Sequence, residues 1–304
     1  MSGPLITVFT PTYNRAHTLP RLFASLGQQT MTSFEWLVVD DGSTDGTEEV
    51  MERLAAEATF PVRYVKQSNG GKHAATNRGV REAAGELFLT LDSDDWLLPE
   101  SLERFAHHWA SVPDQSRFAA VTGLCQTPEG EVLGSRFPQP VVDSNSLEIR
   151  YRHGVTGDKF GFTRTDVMRQ FPFPEGEHDY VPEGIVWNAI AGRYLTRYVD
   201  EPLQVKDYQA DGFTTGGRAV GAEGMALYYR ELIPVALPYL WRQPKELLVS
   251  ASNYSRFALV AGESAWGAVA RMQGLLPRLV VVLTLPLGWL RARRQVKRQA
   301  SSGA

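Results

Sequence analysis

Asp92, Asp94 and Asp95 fall within four positions, directly after the apolar residues Phe88, Leu89 and Leu91. Like charges crowded at the end of a buried strand are costly unless something positive neutralises them. Hard divalent cations take oxygen ligands, and Mg2+ characteristically uses one or two carboxylates together with substrate phosphates. Two carboxylates at i and i+2 can divide two tasks, one reaching a ribose hydroxyl and the other a metal. The plain alternative is an acidic loop capping the helix that begins near Pro99. Asp40 and Asp41 pose the same choice. "DDGSTDGT" is either a turn with a helix cap or a strand end that hydrogen-bonds a base or ribose.

"SNGGKH" has the glycines and lysine of a phosphate loop but not the G-x-x-x-x-G-K-[ST] spacing, and His73 stands where Ser or Thr belongs. A P-loop is therefore excluded. Lys72 can still face an anion near the N-terminus of the following helix, where the dipole is positive. No G-x-G-x-x-G follows the first strand, which argues against a dinucleotide fold. The six histidines are scattered, and His107-His108 reads as a helix surface.

The elements that must position these groups alternate. "LITVFT", "FEWLVVD", "VRYVK" and "ELFLTLD" read as strands. Leu19, Leu22, Phe23 and Leu26 share one helical face, with Pro20 tolerated in the first turn. "DGSTDGTEEVMERL" and "SNGGKHAATNRGVREAA" each turn into a helix, and Asp45-x-x-Glu48 resembles a capping box. Such alternation predicts an α/β fold, a mainly parallel sheet flanked by helices. Ligands of such sheets bind outside the carboxyl ends of the strands, and all four polar clusters fall there. After Pro113 the alternation fades into extended segments, a turn at Pro128-Glu129-Gly130, and a helix over "EGIVWNAIAGRYL" with Pro182 in its first turn. From about Gly221 the pattern is mostly helical.

Composition bounds the function. The 304 residues suffice for one large α/β domain with an appendage. A net charge of −3 gives no electrostatic case for nucleic acid. The single cysteine, Cys125, permits no intrachain disulfide and fits a reducing compartment. "MSGPLITVF" has neither the basic region nor the apolar core of a secretory signal.

Taken together, "VFTPTYNR", "WLVVDDGSTDGT", "NGGKHAATNRGV" and "LDSDD" resemble, in order and spacing, the inverting family 2 glycosyltransferases of the GT-A (nucleotide-diphospho-sugar transferase) fold. The resemblance covers roughly residues 5–210. It implies that a divalent metal, Mn2+ or Mg2+, neutralises the acidic cluster and holds the diphosphate of a nucleotide sugar, by family frequency a UDP-sugar. It matches Asp94 to the metal-binding acid of the D-x-D motif, Asp92 to the acid reaching the ribose or metal shell, and Asp95 to a second participant. Pro11, Tyr13 and Asp41 match the nucleoside pocket, with Arg15, Lys72 and Asn77 nearby. The family's general base is an acid opening a helix beyond the D-x-D. Glu183, directly after Pro182, takes that place, with Asp179 as runner-up; Trp187 and Asn188 either line the acceptor pocket or pack. The resemblance further implies a metal-dependent transfer to an acceptor hydroxyl in cell-envelope polysaccharide or glycolipid synthesis. The expected domains are 1–215, with a nucleotide-sugar half to about 112 and an acceptor half beyond, and a helical extension over 216–304.

Rival readings stay open at this stage. A nucleotidyltransferase also pairs an α/β sheet with acidic ligands, but wants a glycine- and lysine-rich loop after strand one, and "TPTYNR" is not that. A non-catalytic sugar-nucleotide-binding protein has no need of the intact acidic cluster. In "DYQADGFTTGGRA" the glycines make either a mobile lid, with Arg218 approaching a phosphate, or a flexible link. Finally, "LLPRLVVVLTLPLGWL" is strongly apolar but interrupted by Pro277, Arg278 and Pro286, too broken for a span, and a basic tail follows. An apolar segment followed by a basic run predicts peripheral attachment to the cytoplasmic face of the cell membrane, lying flat, with cover by the catalytic domain or a second subunit as the alternative.

Overall fold

The alternation is present in the computed structural model, which describes residues 3–176, 181–207, 221–241 and 243–302. Four strands, β1 (Ile6–Thr12), β2 (Phe34–Asp40), β3 (Val62–Lys66) and β4 (Leu87–Thr90), are joined by three helices, α1 (Leu19–Gly27), α2 (Thr47–Glu57) and α3 (Lys72–Glu82). These strands pair in parallel in the order β3-β2-β1-β4. β1 and β2 are buried along their whole length, as expected of apolar runs with helices on both faces. Trp36 is fully buried, and its indole N–H donates to Thr10 Oγ1 at 3.0 Å, so the large ring carries no unsatisfied donor into the core.

The second half of the sheet is mixed. Beyond β5 (Trp96–Leu97) and α4 (Ser101–Ala110) come β6 (Phe118–Gln126), β7 (Val141–Ser144), α5 (Ser146–Tyr151), β8 (Lys159–Arg164), α6 (Thr165–Gln170), α7 (Gly184–Ala191) and β9 (Leu195–Val205). β8 is antiparallel to β4 and β6, β9 is parallel to β6, and β5 and β7 pair antiparallel with β9. The parallel expectation thus holds for the first four strands and gives way afterwards. The turn at Pro128-Glu129-Gly130 is formed, with Gly130 at φ 89° and a bridge between Gln126 and Val132.

Two local expectations are corrected. The Asp45–Glu48 capping box does not form. Asp45 accepts from Thr47 N and from Ala16 N, tying the loop after β1 to the start of α2, while Glu48 pairs with Lys66 at 2.5 Å. The helix over "EGIVWNAIAGRYL" is shorter than its apolar pattern. Gly192 caps it, and Leu195 already belongs to β9.

The chain divides into two compact units. The first comprises residues 1–145, 153–173 and 193–218 and contains the sheet. The second comprises 146–152, 174–192 and 219–304. It holds α5, α7 and the helices α8 (Ala222–Leu240), α9 (Pro244–Val260), α10 (Ala265–Arg271) and α11 (Leu275–Ser302). Its core joins Leu147 and Tyr151 to Leu232, Ile233, Tyr254 and Val281. The broken apolar run of the sequence is one continuous helix, with Pro286 inside it.

Candidate active site

The carboxyl ends of β1, β2 and β3 are stitched into one edge. Asp41 N donates to Thr12 O, Asn14 N to Ser43 Oγ, and Thr44 N to Asn14 Oδ1. Asn14 sits at φ 54°, the left-handed region that asparagine tolerates better than most residues. Pro11 is buried within β1. Leu91 N donates to Phe9 O, so the odd positions of β1 face β4, and register with β4 ends at Phe9 opposite Thr90. The next bond toward β4 would come from Pro11, which has no N–H, so the ladder ends there. Tyr13 lies exposed on the loop that follows.

Asp41 is buried, and its carboxylate accepts from Gln67 Nε2 at 2.8 Å, Gly70 N at 2.9 Å and Gly71 N at 2.7 Å. It shapes the glycine loop that precedes α3. Gly71, at φ 86°, supplies the left-handed turn that an L side chain would strain. α3 starts at Lys72, whose Nζ lies 2.7 Å from Asp92 Oδ1. Asn77 Nδ2 donates to Phe173 O and its Oδ1 accepts from Phe173 N, both at 2.9 Å, which anchors the segment after α6.

The three aspartates have separate environments. Burial would raise Asp92, but the cations of Lys72 and Lys206 outweigh it and hold the carboxyl below its usual range. Asp94 is raised, by burial and then by the charge of Asp92, against weaker opposition from Arg15 and Lys206. Among the described residues no cation forms an ion pair with Asp94. Asp95 is 1% exposed, and burial pushes it up to about 7 although Lys206 opposes the shift. Gln204 Nε2 donates to it at 2.8 Å and Asp207 N at 3.3 Å, with Lys206 Nζ at 3.7 Å. Through these bonds Asp95 ties the end of β9 to the acidic motif.

Sequence reasoning missed four residues here. Lys206 pairs with Asp95 and with Asp158 at 3.3 Å, and these carboxylates, with Asp92, push its ammonium up against the effect of burial. Gln204 links Asp95 to Cys125, whose thiol donates to Gln204 Oε1. Arg21 donates to the carbonyl of Asp94 at 2.6 Å, pairs with Asp207 at 2.7 Å, and stacks over the Trp96 ring at 4.1 Å. Thr12 is buried, and its Oγ1 has no hydrogen-bond partner among the described residues. A basic residue just past the alternating strand of β9 was the only sequence signal among these.

In the second unit, Glu183 is exposed at the N-terminal cap of α7, its carbonyl accepting from Val186 N. Asn188 on the same helix has a buried Nδ2 with no hydrogen-bond partner among the described residues. A cavity of about 540 Å³ is lined wholly by second-unit residues, among them Arg230, Glu263 and Arg271, and by none of the acidic motif. Asp179 and Arg218 lie outside the described residues, as does most of the glycine-rich segment around Arg218.

Residues 7–153 match the model of glycosyl transferase family 2. This segment is a family 2 glycosyltransferase domain. Glycosyltransferase GlyA of Streptococcus pneumoniae serotype 4 is 30% identical over 148 residues, 47% of this chain and 21% of GlyA. The poly(ribitol-phosphate) beta-N-acetylglucosaminyltransferase TarS of Staphylococcus aureus is 35% identical over 99 residues, 32% of this chain and 17% of TarS. The chain thus spans about a fifth of the length of each. The structure of TarS 1–349 in complex with UDP-GlcNAc superposes with a TM-score of 0.65 at 18% identity, covering 97% of this chain and 92% of that one. The mannosyltransferase PcManGT of Pyrobaculum calidifontis, in complex with GDP-Man and Mn2+, superposes with a TM-score of 0.52 at 19% identity, over 95% of this chain and 87% of that one. The family 2 domain accordingly has the GT-A fold.

Proposed function

We propose that the family 2 domain is the catalytic part of a metal-dependent inverting glycosyltransferase. It moves a sugar from a nucleoside diphosphate donor, a UDP-sugar, to an acceptor hydroxyl in cell-envelope polysaccharide or glycolipid synthesis on the cytoplasmic side. One observation carries this reading. Lys72 pairs with Asp92 and Lys206 with Asp95, whereas Asp94 is raised, by burial first and then by the charge of Asp92, and pairs with no described cation. An acid so placed gains from a divalent ion.

The donor set fits such an ion. It is hard oxygen, and among the described residues no cluster of three His, Cys, Asp or Glu could hold a metal by itself. Asp94 would hold it, with Asp92 beside it and donor phosphates completing the shell. When bound, Mn2+ or Mg2+ supplies Lewis-acid stabilisation of the leaving diphosphate. Mn2+ is the ion named with PcManGT.

The chain's own residues do the rest. Asp41 has three donors on a carboxylate that offers about four acceptor sites, leaving one for a nucleoside N–H or hydroxyl. The unpartnered Thr12 Oγ1 offers a second polar contact at the same edge. Pro11 and Tyr13 wall the nucleoside side, and Arg15 and Lys72 face the phosphates. Glu183 takes the acceptor proton as the acceptor oxygen bonds the anomeric carbon and the bond to diphosphate breaks on the opposite face. The buried, unpartnered Nδ2 of Asn188 supports a place for it in the acceptor pocket.

The test is turnover of a panel of UDP-sugars with Mn2+, Mg2+ or EDTA, for the wild type and Asp94→Asn. Transfer or slow donor hydrolysis that requires the metal and vanishes in the variant is expected. Undiminished turnover in EDTA, or in Asp94→Asn, overturns the proposal.

A further inference from the structure

α11 has two faces, and the described residues cover only one of them. Val281, Thr284 and Gly288 are buried, and α9 is its main packing partner. The approach at Gly288 is close: a Cβ there would lie 2.5 Å from Ser255 Cβ. Arg291 Nη1 donates to Ser252 Oγ at 3.3 Å, and Arg256 Nε to Gln295 Oε1 at 2.7 Å, so the contact runs most of the helix length. On the other side Leu276, Leu279, Leu283, Leu287 and Leu290 are all exposed, Leu283 by 76%. At 100° per residue they fall on one line, about 21 Å long at 1.5 Å per residue. The same line continues into Arg294 and Lys297.

Residues 275–304 contain no Asp or Glu, while Arg291, Arg293, Arg294, Lys297 and Arg298 follow the leucines at once. The Arg293 guanidinium lies 3.8 Å from the centre of the exposed Trp289 ring, at the junction of the apolar and basic parts. A leucine line ending in an indole and a basic cluster matches the charge and polarity order of an anionic lipid surface.

We infer that α11 seats the protein on an anionic bilayer surface, the leucine line in the acyl boundary and the basic cluster among the headgroups. The segment Leu275–Lys297 is long and apolar enough to cross a membrane by length and composition. Crossing would strip it from α9 or drag α9, with Lys245, Glu246 and Arg256, into hydrocarbon. The helix therefore lies in the plane.

The test needs no assumption about transfer activity. Full-length protein is sedimented with vesicles of phosphatidylcholine, with and without phosphatidylglycerol, at low and high salt. The doubly substituted variants Leu283→Glu/Leu287→Glu and Arg293→Ser/Arg294→Ser are compared, with thermal melts to show that these exposed changes leave the fold intact. Wild type is expected to pellet with anionic vesicles and to be released by salt, and each variant to bind at least tenfold more weakly. A wild type that stays in the supernatant, or variants that partition like it, overturns the inference. So does equal binding to neutral vesicles. A leucine variant that only converts a wild-type dimer to monomer, with no vesicle binding by either, overturns it in favour of a second copy covering this face.

Discussion

Asp94 and Asp95 are sequence neighbours with opposite surroundings, and substitution should separate them. Asp95→Ala leaves Gln204 Nε2 and Asp207 N without their buried acceptor, and should cost about 1–3 kcal/mol in chemical denaturation. Asp94→Ala removes a carboxylate raised by burial and by Asp92, and should leave stability unchanged or slightly higher at pH 7. Equal losses would mean that both side chains are structural. For the proposed base, Glu183→Gln should slow transfer about 100-fold while donor affinity holds, the usual scale for a lost general base. Turnover within a few-fold of wild type would move that role to another acid, Asp179 first.

At the scale of elements, α3 reaches β1 only because Gly79 has no side chain. A Cβ there would lie 2.3 Å from the Phe9 ring, which is itself stacked on Phe88 with centroids 5.0 Å apart. Gly79→Ala should therefore destabilise by about 1–3 kcal/mol despite its better helix propensity, since overpacking outweighs a gain of about 1 kcal/mol. A melting temperature at or above wild type would show that Phe9 can move aside. α4 is held to β9 by Arg104, which pairs with both oxygens of Glu201, with His108 Nε2 at 2.9 Å from the same carboxylate. The Arg104 bond, then His108, hold the Glu201 carboxyl below its ordinary value of 4.5. A depressed acid stabilises the fold above its unfolded value and loses that contribution as pH falls through the folded one. Glu201→Gln should therefore melt below wild type at pH 7, with the gap closing below about pH 4.5. Both side chains are about a third exposed, so the effect is modest and shrinks with salt. A gap that stays constant down to pH 3 would assign the loss to packing.

For the whole molecule, ligand binding should appear as stability. Since no cluster of three ligating side chains is present among the described residues, Mn2+ alone should hardly shift the melting temperature. UDP with Mn2+ should raise it, by the equivalent of about 2.7 kcal/mol at a hundredfold excess over Kd. A full shift with Mn2+ alone would mean a metal site independent of the nucleotide, and none with any nucleoside diphosphate would remove the donor assignment.

The first four strands and three helices were legible in the sequence because they are written locally. "FEWLVVD" and "VRYVK" became β2 and β3 residue for residue, and the Leu19–Leu26 face became α1. The place of Asp92 and Asp94 followed from the strand that leads into them. What neutralises the cluster was not legible. Lys206 and Gln204 lie more than a hundred positions away, and only the pairing of β5 and β6 with β9 brings them to Asp95. The capping box failed for a similar reason: Asp45 found Ala16 N, a partner from another loop, within reach. Pro277 and Pro286 marked breaks in the sequence, yet α11 is continuous. Packing along α9, with Val281 fully buried, holds the helix together across Pro286, which lacks a backbone donor. Spacing along the chain determined which elements form and where the acids stand. Contacts across the chain decided which of the acids are tied to distant partners.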